Sequence, residues 1–170
     1  MARFDATPGT SDLKGIRYTD GKVRGMIYGG PYRNRPKDLP GFCMAEELMD
    51  LPHDVAIPTR DFSVPEPEDM MKGLEKARYY LKKDGSLYVG CMGGIGRTGL
   101  FMGAMTLLSF MSQYWMPNQA ALAVEAIKYV RDNYKGHAIE TKQQEDFLKE
   151  LPLKKMAFLI RLSRVLPFIK

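Results

Sequence analysis

Cysteine and histidine are scarce, with two of each in 170 residues. Cys43 and Cys91 lie far apart, no CxxC pair occurs, and His53 and His137 stand alone. That pattern offers neither a disulfide scaffold nor zinc-ligand spacing, so no metal or cofactor is expected. The first twenty residues hold no apolar stretch of the secretory-leader kind. The longest apolar run, Leu100 to Met111, is broken by Gly103, Thr106 and Ser109; it is too short to span a bilayer and reads as a buried helix. A reducing cytoplasm is the expected compartment. Repeats and low-complexity tracts are absent. What remains is a chain of one-domain size with a formal charge of +5 and a pI near 9.1. Such a mild basic excess suits an anionic substrate and equally an ordinary basic surface. No basic patch is interleaved with aromatics, so nucleic acid is not the favoured partner.

Strand and helix signals alternate along the chain. Residues 1–22 are polar and mixed and read as an irregular arm. VRGMIYGG (23–30), DVAIPT (54–59) and SLYVGC (86–91) read as strands, the last of them central. The segment 32–41 is rich in proline and basic residues and reads as a loop, whereas 42–51, FCMAEELMDL, has helical character. Pro67 followed by Glu68 and Asp69 marks the start of a helix that runs to about Lys83. Further helices are predicted from about Arg97 to Gln113, from Gln119 (with Asn118 as cap) to about Tyr134, and over 141–151, before a basic, apolar C-terminal helix over 152–170. This order predicts an α/β fold: a central, mostly parallel twisted sheet flanked by helices, with the main domain over 23–151.

The most chemical stretch is Tyr88 to Leu100, YVGCMGGIGRTGL. Four of the eight residues after Cys91 are glycine. Between a strand and a helix, such a loop can turn successive backbone N–H groups of Met92, Gly93, Gly94, Ile95 and Gly96 toward one centre, forming an anion nest. The helix beginning near Arg97 adds its N-terminal partial charge at the same point, and the Arg97 guanidinium can clamp two oxygens of a tetrahedral dianion. Cys91 at the floor of this positive bowl is placed to ionise, and Thr98 to donate its hydroxyl to the sulfur. The loop therefore reads as a phosphate cradle with a built-in nucleophile. Three plainer readings compete. Gly94–Gly99 formally matches GxGxxG, but Gln119 and Ala120 stand where a dinucleotide fold needs an acid, and no strand follows the helix. The loop is a near miss to a nucleotide P-loop, with Arg97 for lysine and Cys91 for the first glycine. A buried structural thiol is the usual fate of a lone cysteine, but it leaves Arg97 and Thr98 at these offsets unexplained.

Cys91-x5-Arg97-Thr98-Gly99, as CMGGIGRTG, resembles the active-site loop of the cysteine-dependent protein tyrosine phosphatase superfamily, and its Gly93-Gly94 pair is similar to that of the kinase-associated phosphatases. The resemblance covers about residues 24–151. It implies two further parts. Asp61-Phe-Ser-Val-Pro65, thirty residues before Cys91, resembles the tail of the superfamily's W-P-D-x-G-x-P acid loop, with Thr59 and Arg60 for Trp-Pro and Ser63 for glycine. It implies Asp61 as general acid, against the plain reading of a solvated loop carboxylate. Thr141-Lys-Gln-Gln144-Glu-Asp-Phe147 resembles the T-x-x-Q-x-x-F segment. It implies Gln144, with Gln143 as its rival, as the residue that orients the attacking water; the plain reading is an exposed helical glutamine.

The implied activity is phosphomonoester hydrolysis through a phosphocysteine, without metal, on phosphorylated proteins or peptides. Phosphate, vanadate or sulfate should occupy the loop. The short chain is similar to dual-specificity enzymes, so phosphotyrosine is expected, with phosphoserine and phosphothreonine open. Met92 and Ile95 occupy loop positions where phosphoinositide enzymes of the superfamily often carry lysine, which disfavours a highly charged head group. Arg33–Pro36, RNRP, is a faint echo of the tyrosine-specific enzymes' substrate loop, without its tyrosine. Other readings are phosphoinositide or RNA 5′-phosphate as substrate, and a pseudophosphatase that binds phosphorylated partners. That last reading rests on Gly90, because the superfamily usually has a histidine there whose ring supports the loop. A less depressed Cys91 pKa is the expected consequence. In the tail, Phe158, Leu162, Val165, Leu166 and Ile169 form an apolar stripe, with Lys154, Lys155, Arg161, Arg164 and Lys170 mostly elsewhere. That helix either packs on the domain or touches a membrane surface.

Overall fold

In the computed structural model, residues 12–166 and residue 168 are described. The strands are β1 (Gly15–Thr19), β2 (Arg24–Pro31), β3 (Gly41–Ala45), β4 (Val55–Thr59) and β5 (Ser86–Cys91). The helices are α1 (Pro67–Asp84), α2 (Gly96–Met111), α3 (Gln119–Asn133), α4 (Lys142–Glu150) and α5 (Lys154–Val165). One sheet runs in the order β1-β2-β5-β3-β4; β1 is antiparallel to β2 and every other pairing is parallel. The mostly parallel α/β architecture expected from the sequence is therefore the one observed.

β5 lies at the centre, and all six of its residues are buried. A parallel strand covered on both faces reads as a continuous apolar run, which SLYVGC nearly is. Helix α2 continues from β5 through the glycine loop and is buried along almost its whole length, so it is the core of the molecule rather than a surface helix. Local signals set the other helix ends. Pro67 occupies the first turn of α1, whose C-terminus closes on Gly85 with a bond from Gly85 N–H to the Leu81 carbonyl of 2.9 Å. The Asn118 side chain accepts from the Ala121 N–H at the start of α3.

Three readings change. Of the arm expected over 1–22, residues 1–11 lie outside the described residues, and Gly15–Thr19 forms β1 rather than irregular chain. Its inward residues Ile16 and Tyr18 alternate with exposed ones, a period-two signal. The helix read over 42–51 is strand β3 followed by a short 3-10 turn, Glu46–Leu48. Phe42, Cys43, Met44 and Ala45 are all fully buried between β4 and β5, and sheet pairing overrides local helix propensity. In α5 the packed face is Ala157 and Ile160, while Phe158, Leu159 and Val165 are exposed. The stripe through Phe158 and Val165 is thus not the face the helix buries; Ile169 and Lys170 lie outside the described residues. Two arginines fix this orientation. Arg161 stacks on the Trp115 ring at 4.2 Å and donates to the Gln113 carbonyl, and Arg164 donates to the Ser112 carbonyl. Both serve carbonyls just past the end of α2. Among the described residues no helix is long and apolar enough to cross a membrane.

Candidate active site

Cys91 ends the central strand, and α2 begins five residues later at Gly96. The intervening loop lies at the carboxyl end of a parallel sheet, where open α/β folds bind ligands. Cys91 is 3% exposed, and the Thr98 hydroxyl donates to its sulfur at 3.1 Å. Ile95 stands at the N-cap of α2 with no side-chain cap, so no side chain competes for the first-turn N–H groups. Gly94 has φ +68, and its backbone lies against Gly30 and Pro31; an added Cβ would fall 2.2 Å from the Gly30 carbonyl carbon. Met92 and Gly93 are exposed at the mouth, Ile95 is half-buried, and the Glu140 carboxylate lies over Gly96.

Arg97 is 1% exposed, and a residue the sequence reading did not single out holds it there. Glu47, on the turn after β3, takes Arg97 Nη1 and Nη2 on its two oxygens, each at 2.7 Å. Nη1 also donates to the Thr59 carbonyl at 2.8 Å. The terminal fork therefore grips Glu47, so an anion cannot be clamped by it and must use the rest of the group. Nη1 is fully spent. What remains is the other edge of the guanidinium: Nε, which is buried without a partner, and the second N–H of Nη2, which the Asp61 carboxylate approaches at 3.4 Å without a hydrogen bond. Two parallel N–H groups on one edge still offer a bidentate seat for an oxyanion. An orphaned, buried, cationic donor is costly unless a ligand meets it. Burial alone would lower the Arg97 pKa, but the Glu47 hydrogen bonds and the Cys91 and Glu47 charges raise it on balance. The same hydrogen bonds hold the Glu47 carboxyl below its ordinary range. The signal in the sequence was the acidic pair after a fully apolar strand, Ala45-Glu46-Glu47, hidden by the helical reading of that segment.

Asp61 sits on the loop between β4 and α1, with one carboxylate oxygen 3.4 Å from Arg97 Nη2. Its side chain is 58% exposed, so it meets Arg97 from the solvent side. Phe62, next to it, takes φ +58, costly for an aromatic residue, and is itself exposed. The loop is tied at three points: the Phe62 N–H to Asp61 Oδ1 at 3.0 Å, Arg60 to Glu46 at 3.5 Å, and the Gln144 side-chain amide to the Ser63 carbonyl at 3.0 Å.

Gln144 is fully buried. Thr141 and Gln144 form a reciprocal capping box at the start of α4. The Gln144 oxygen accepts the Glu140 and Thr141 N–H groups at 2.8 and 3.4 Å, and Nε2 donates one proton to Ser63. One amide proton is left. The structure thus brings Cys91, Arg97, Thr98, Asp61 and Gln144 to one place, the last through the loop that carries Asp61. Tyr134 and Lys135, near the end of α3, reach the same loop, both donating to the Gly94 carbonyl, at 2.5 and 3.2 Å.

A model of the protein-tyrosine phosphatase family matches residues 58–154. An uncharacterised protein of Methanocaldococcus jannaschii is 32% identical over 100 residues, which are 58% of this chain and 55% of that protein. The chain thus spans about half of that relative's length. Among solved structures, the active form of Tk-PTP has a TM-score of 0.54 at 21% identity, covering 82% of this chain and 96% of the other. PTPMT1 in complex with PI(5)P has a TM-score of 0.58 at 17% identity, covering 77% and 91%. At these identities the likeness is one of fold.

Proposed function

The chain belongs to the protein-tyrosine phosphatase family, and from that premise we propose that it hydrolyses phosphomonoesters through a phosphocysteine at Cys91, with phosphotyrosine in proteins or peptides as the main substrate class. The observation that carries this reading is the unpartnered, buried Nε of Arg97 in one loop with the Thr98-bonded Cys91 sulfur.

In the proposed reaction the Cys91 thiolate attacks phosphorus. The S–P bond forms as the ester P–O bond breaks, and protonated Asp61 gives the leaving oxygen its proton. Arg97 and the loop N–H groups hold the equatorial oxygens as charge builds. Thr98 stabilises the sulfur as a thiolate, so it is a better leaving group in the second step. There Asp61, now a carboxylate, takes a proton from water, the water oxygen bonds to phosphorus, and the S–P bond breaks to release phosphate. The remaining amide proton of Gln144 is the group that directs this water, while its bond to Ser63 keeps Asp61 in register.

An apolar mouth supports an aryl ester. Phe62 is 58% exposed beside Asp61, and Met92 is 45% exposed on the loop. Lysines that would match the extra phosphates of an inositol head group are missing from loop positions 92 and 95. Phosphoinositides are the competing class, because the PTPMT1 structure holds PI(5)P. Gly90, the foothold of a non-hydrolysing reading, has a packing cause: an added Cβ would sit 2.7 Å from Tyr32 Cα and 2.8 Å from the Gly30 carbonyl oxygen.

The test is hydrolysis of p-nitrophenyl phosphate with vanadate as inhibitor, followed by phosphotyrosyl, phosphoseryl and phosphothreonyl peptides, phosphoinositides and 5′-phosphorylated RNA. We expect turnover, inhibition by vanadate, and preference for phosphotyrosyl peptides. Binding of phosphopeptides without turnover of any substrate would refute the proposal in favour of a binding module.

A further inference from the structure

The position beneath the nucleophile cannot carry a supporting side chain. A Cβ on Gly90 would press into backbone on every near side: Tyr32 Cα at 2.7 Å, the Gly30 carbonyl oxygen at 2.8 Å and Tyr32 N at 2.9 Å. Flexible side chains can yield, but these are main-chain atoms of β2 and the turn after it. A loop rich in glycine, with no side chain below it, has many backbone conformations open to it. Something else must select the one that binds an anion.

The support comes from α3. Tyr134, at the C-cap of that helix, is 5% exposed and anchored by its N–H to the Val130 carbonyl at 2.8 Å. Its hydroxyl donates to the Gly94 carbonyl at 2.5 Å, and Lys135 Nζ donates to the same oxygen at 3.2 Å. The absence of a side chain at Gly29 leaves room for this: a Cβ there would stand 3.1 Å from the Tyr134 hydroxyl and 2.9 Å from Thr98 Cγ2. So the Tyr134 hydroxyl enters the core beside Thr98, behind the loop. A peptide unit is planar and trans, so its N–H points opposite to its C=O. Whatever holds the Gly94 carbonyl toward α3 also turns the Ile95 N–H the other way.

We propose that Tyr134, seconded by Lys135, is the positioning residue of the phosphate loop: together they hold the Gly94 carbonyl back and aim the Ile95 N–H at the anion, in place of the side chain that position 90 lacks. The inference rests on the phosphatase reading of Cys91 and Arg97. Burial, with the nearby Tyr88 and Cys91 charges, pushes the Tyr134 hydroxyl well above its ordinary range, so it stays a donor across the working pH. An uncharged hydroxyl and an ammonium on one carbonyl also draw electron density from that peptide, which strengthens its N–H as a donor to the phosphate.

The experiment compares full-length wild type, Tyr134→Phe, Lys135→Met and the double variant. Three quantities are read: the vanadate inhibition constant, the pH midpoint of Cys91 inactivation by iodoacetamide, and the melting temperature. We expect the vanadate constant to rise about tenfold in Tyr134→Phe and about threefold in Lys135→Met, with a larger rise in the double variant. The thiolate midpoint should move up in the same order. A merely structural hydroxyl would lower the melting temperature and leave both other quantities unchanged in the folded protein; that result overturns the inference. If Tyr134→Phe does not fold, Lys135→Met decides, and wild-type vanadate affinity in it also overturns the inference. The alkylation midpoint needs no turnover. A wild type that neither turns over aryl phosphate nor binds vanadate therefore sinks the phosphatase reading and is told apart from variants that match an active wild type.

Discussion

At the scale of single residues, the site is a set of competing claims on one guanidinium. Glu47 takes the fork of Arg97, Thr59 takes a further proton, and the edge that is left is the one a phosphate can use. Glu47→Gln should keep the shape and lose the charge-assisted pairing, lowering kcat/KM for an aryl phosphate about tenfold or more. Steady-state kinetics with vanadate inhibition checks this. The sign of the pH effect follows from the depressed Glu47 carboxyl. The pairing is complete above the ordinary glutamate value of 4.5 and is lost only as the pH falls through the lowered one. An acid limb assigned to Glu47 should therefore lie below that value. Asp61 makes a separate claim: Asp61→Asn cannot release a proton to the leaving oxygen, and turnover should fall ~10²–10⁴-fold with binding largely kept. Unchanged kcat in that variant would remove Asp61 from the mechanism.

At the scale of elements, the chemistry hangs on where three segments end. β5 delivers Cys91, the N-terminus of α2 faces the loop where the proposed anion would sit, and α4 starts with a capping box whose glutamine also grips the Asp61 loop. Thr141→Ala removes half of that box and should cost about 1 kcal/mol of stability. It should also lower kcat several-fold by loosening Gln144, and thermal denaturation beside turnover separates the two effects. The loop, its strand and its helix were legible in the sequence because glycine spacing and the apolar run after it are local signals. Asp61 and Gln144 were legible as pieces of a resemblance. Glu47 was not, because its role depends on β3 being a strand, and Phe42–Ala45 pair only with residues distant in the chain. The contact of Tyr134 with the loop is not legible for a similar reason. Tyr134 reads as one more helical residue until α3 is packed beside the loop, and its bond to Gly94 spans 40 residues. Gly90 reads in the sequence as a missing supporting side chain, the foothold of the non-hydrolysing alternative. Its cause is the approach of Gly30 and Tyr32 across the β2–β5 pairing, which no local window contains.

At the scale of the molecule, the antiparallel β1–β2 hairpin is clasped to the rest by a buried carboxylate. Asp20 is 1% exposed and accepts the Tyr18 hydroxyl at 2.7 Å, the Lys22 and Val23 N–H groups at 2.9 and 2.8 Å, and Arg78 Nε of α1 at 2.7 Å. Burial alone would raise its pKa; the Arg78 and Val23 hydrogen bonds and the Arg78 charge lower it on balance. A depressed carboxyl stabilises the fold above its unfolded value and loses that contribution as the pH falls through the folded one. Asp20→Asn should cost about 2–3 kcal/mol near neutral pH, less than a wholly buried pair because Arg78 is partly exposed. Urea denaturation across pH should show the gap to wild type closing only below the ordinary aspartate value of 3.8. A gap that stays constant down to strongly acid pH would mean that the Asp20 charge contributes nothing.

The proposed chemistry passes through one covalent bond, the S–P bond of a phosphocysteine at Cys91. Wild-type protein quenched in acid during turnover of p-nitrophenyl phosphate, digested and mapped by mass spectrometry, should carry a single phosphoryl group on Cys91. Cys91→Ser should neither turn over the ester nor carry the group on that peptide. Full turnover by Cys91→Ser, or steady hydrolysis by wild type with the phosphoryl group on another residue, would contradict the mechanism.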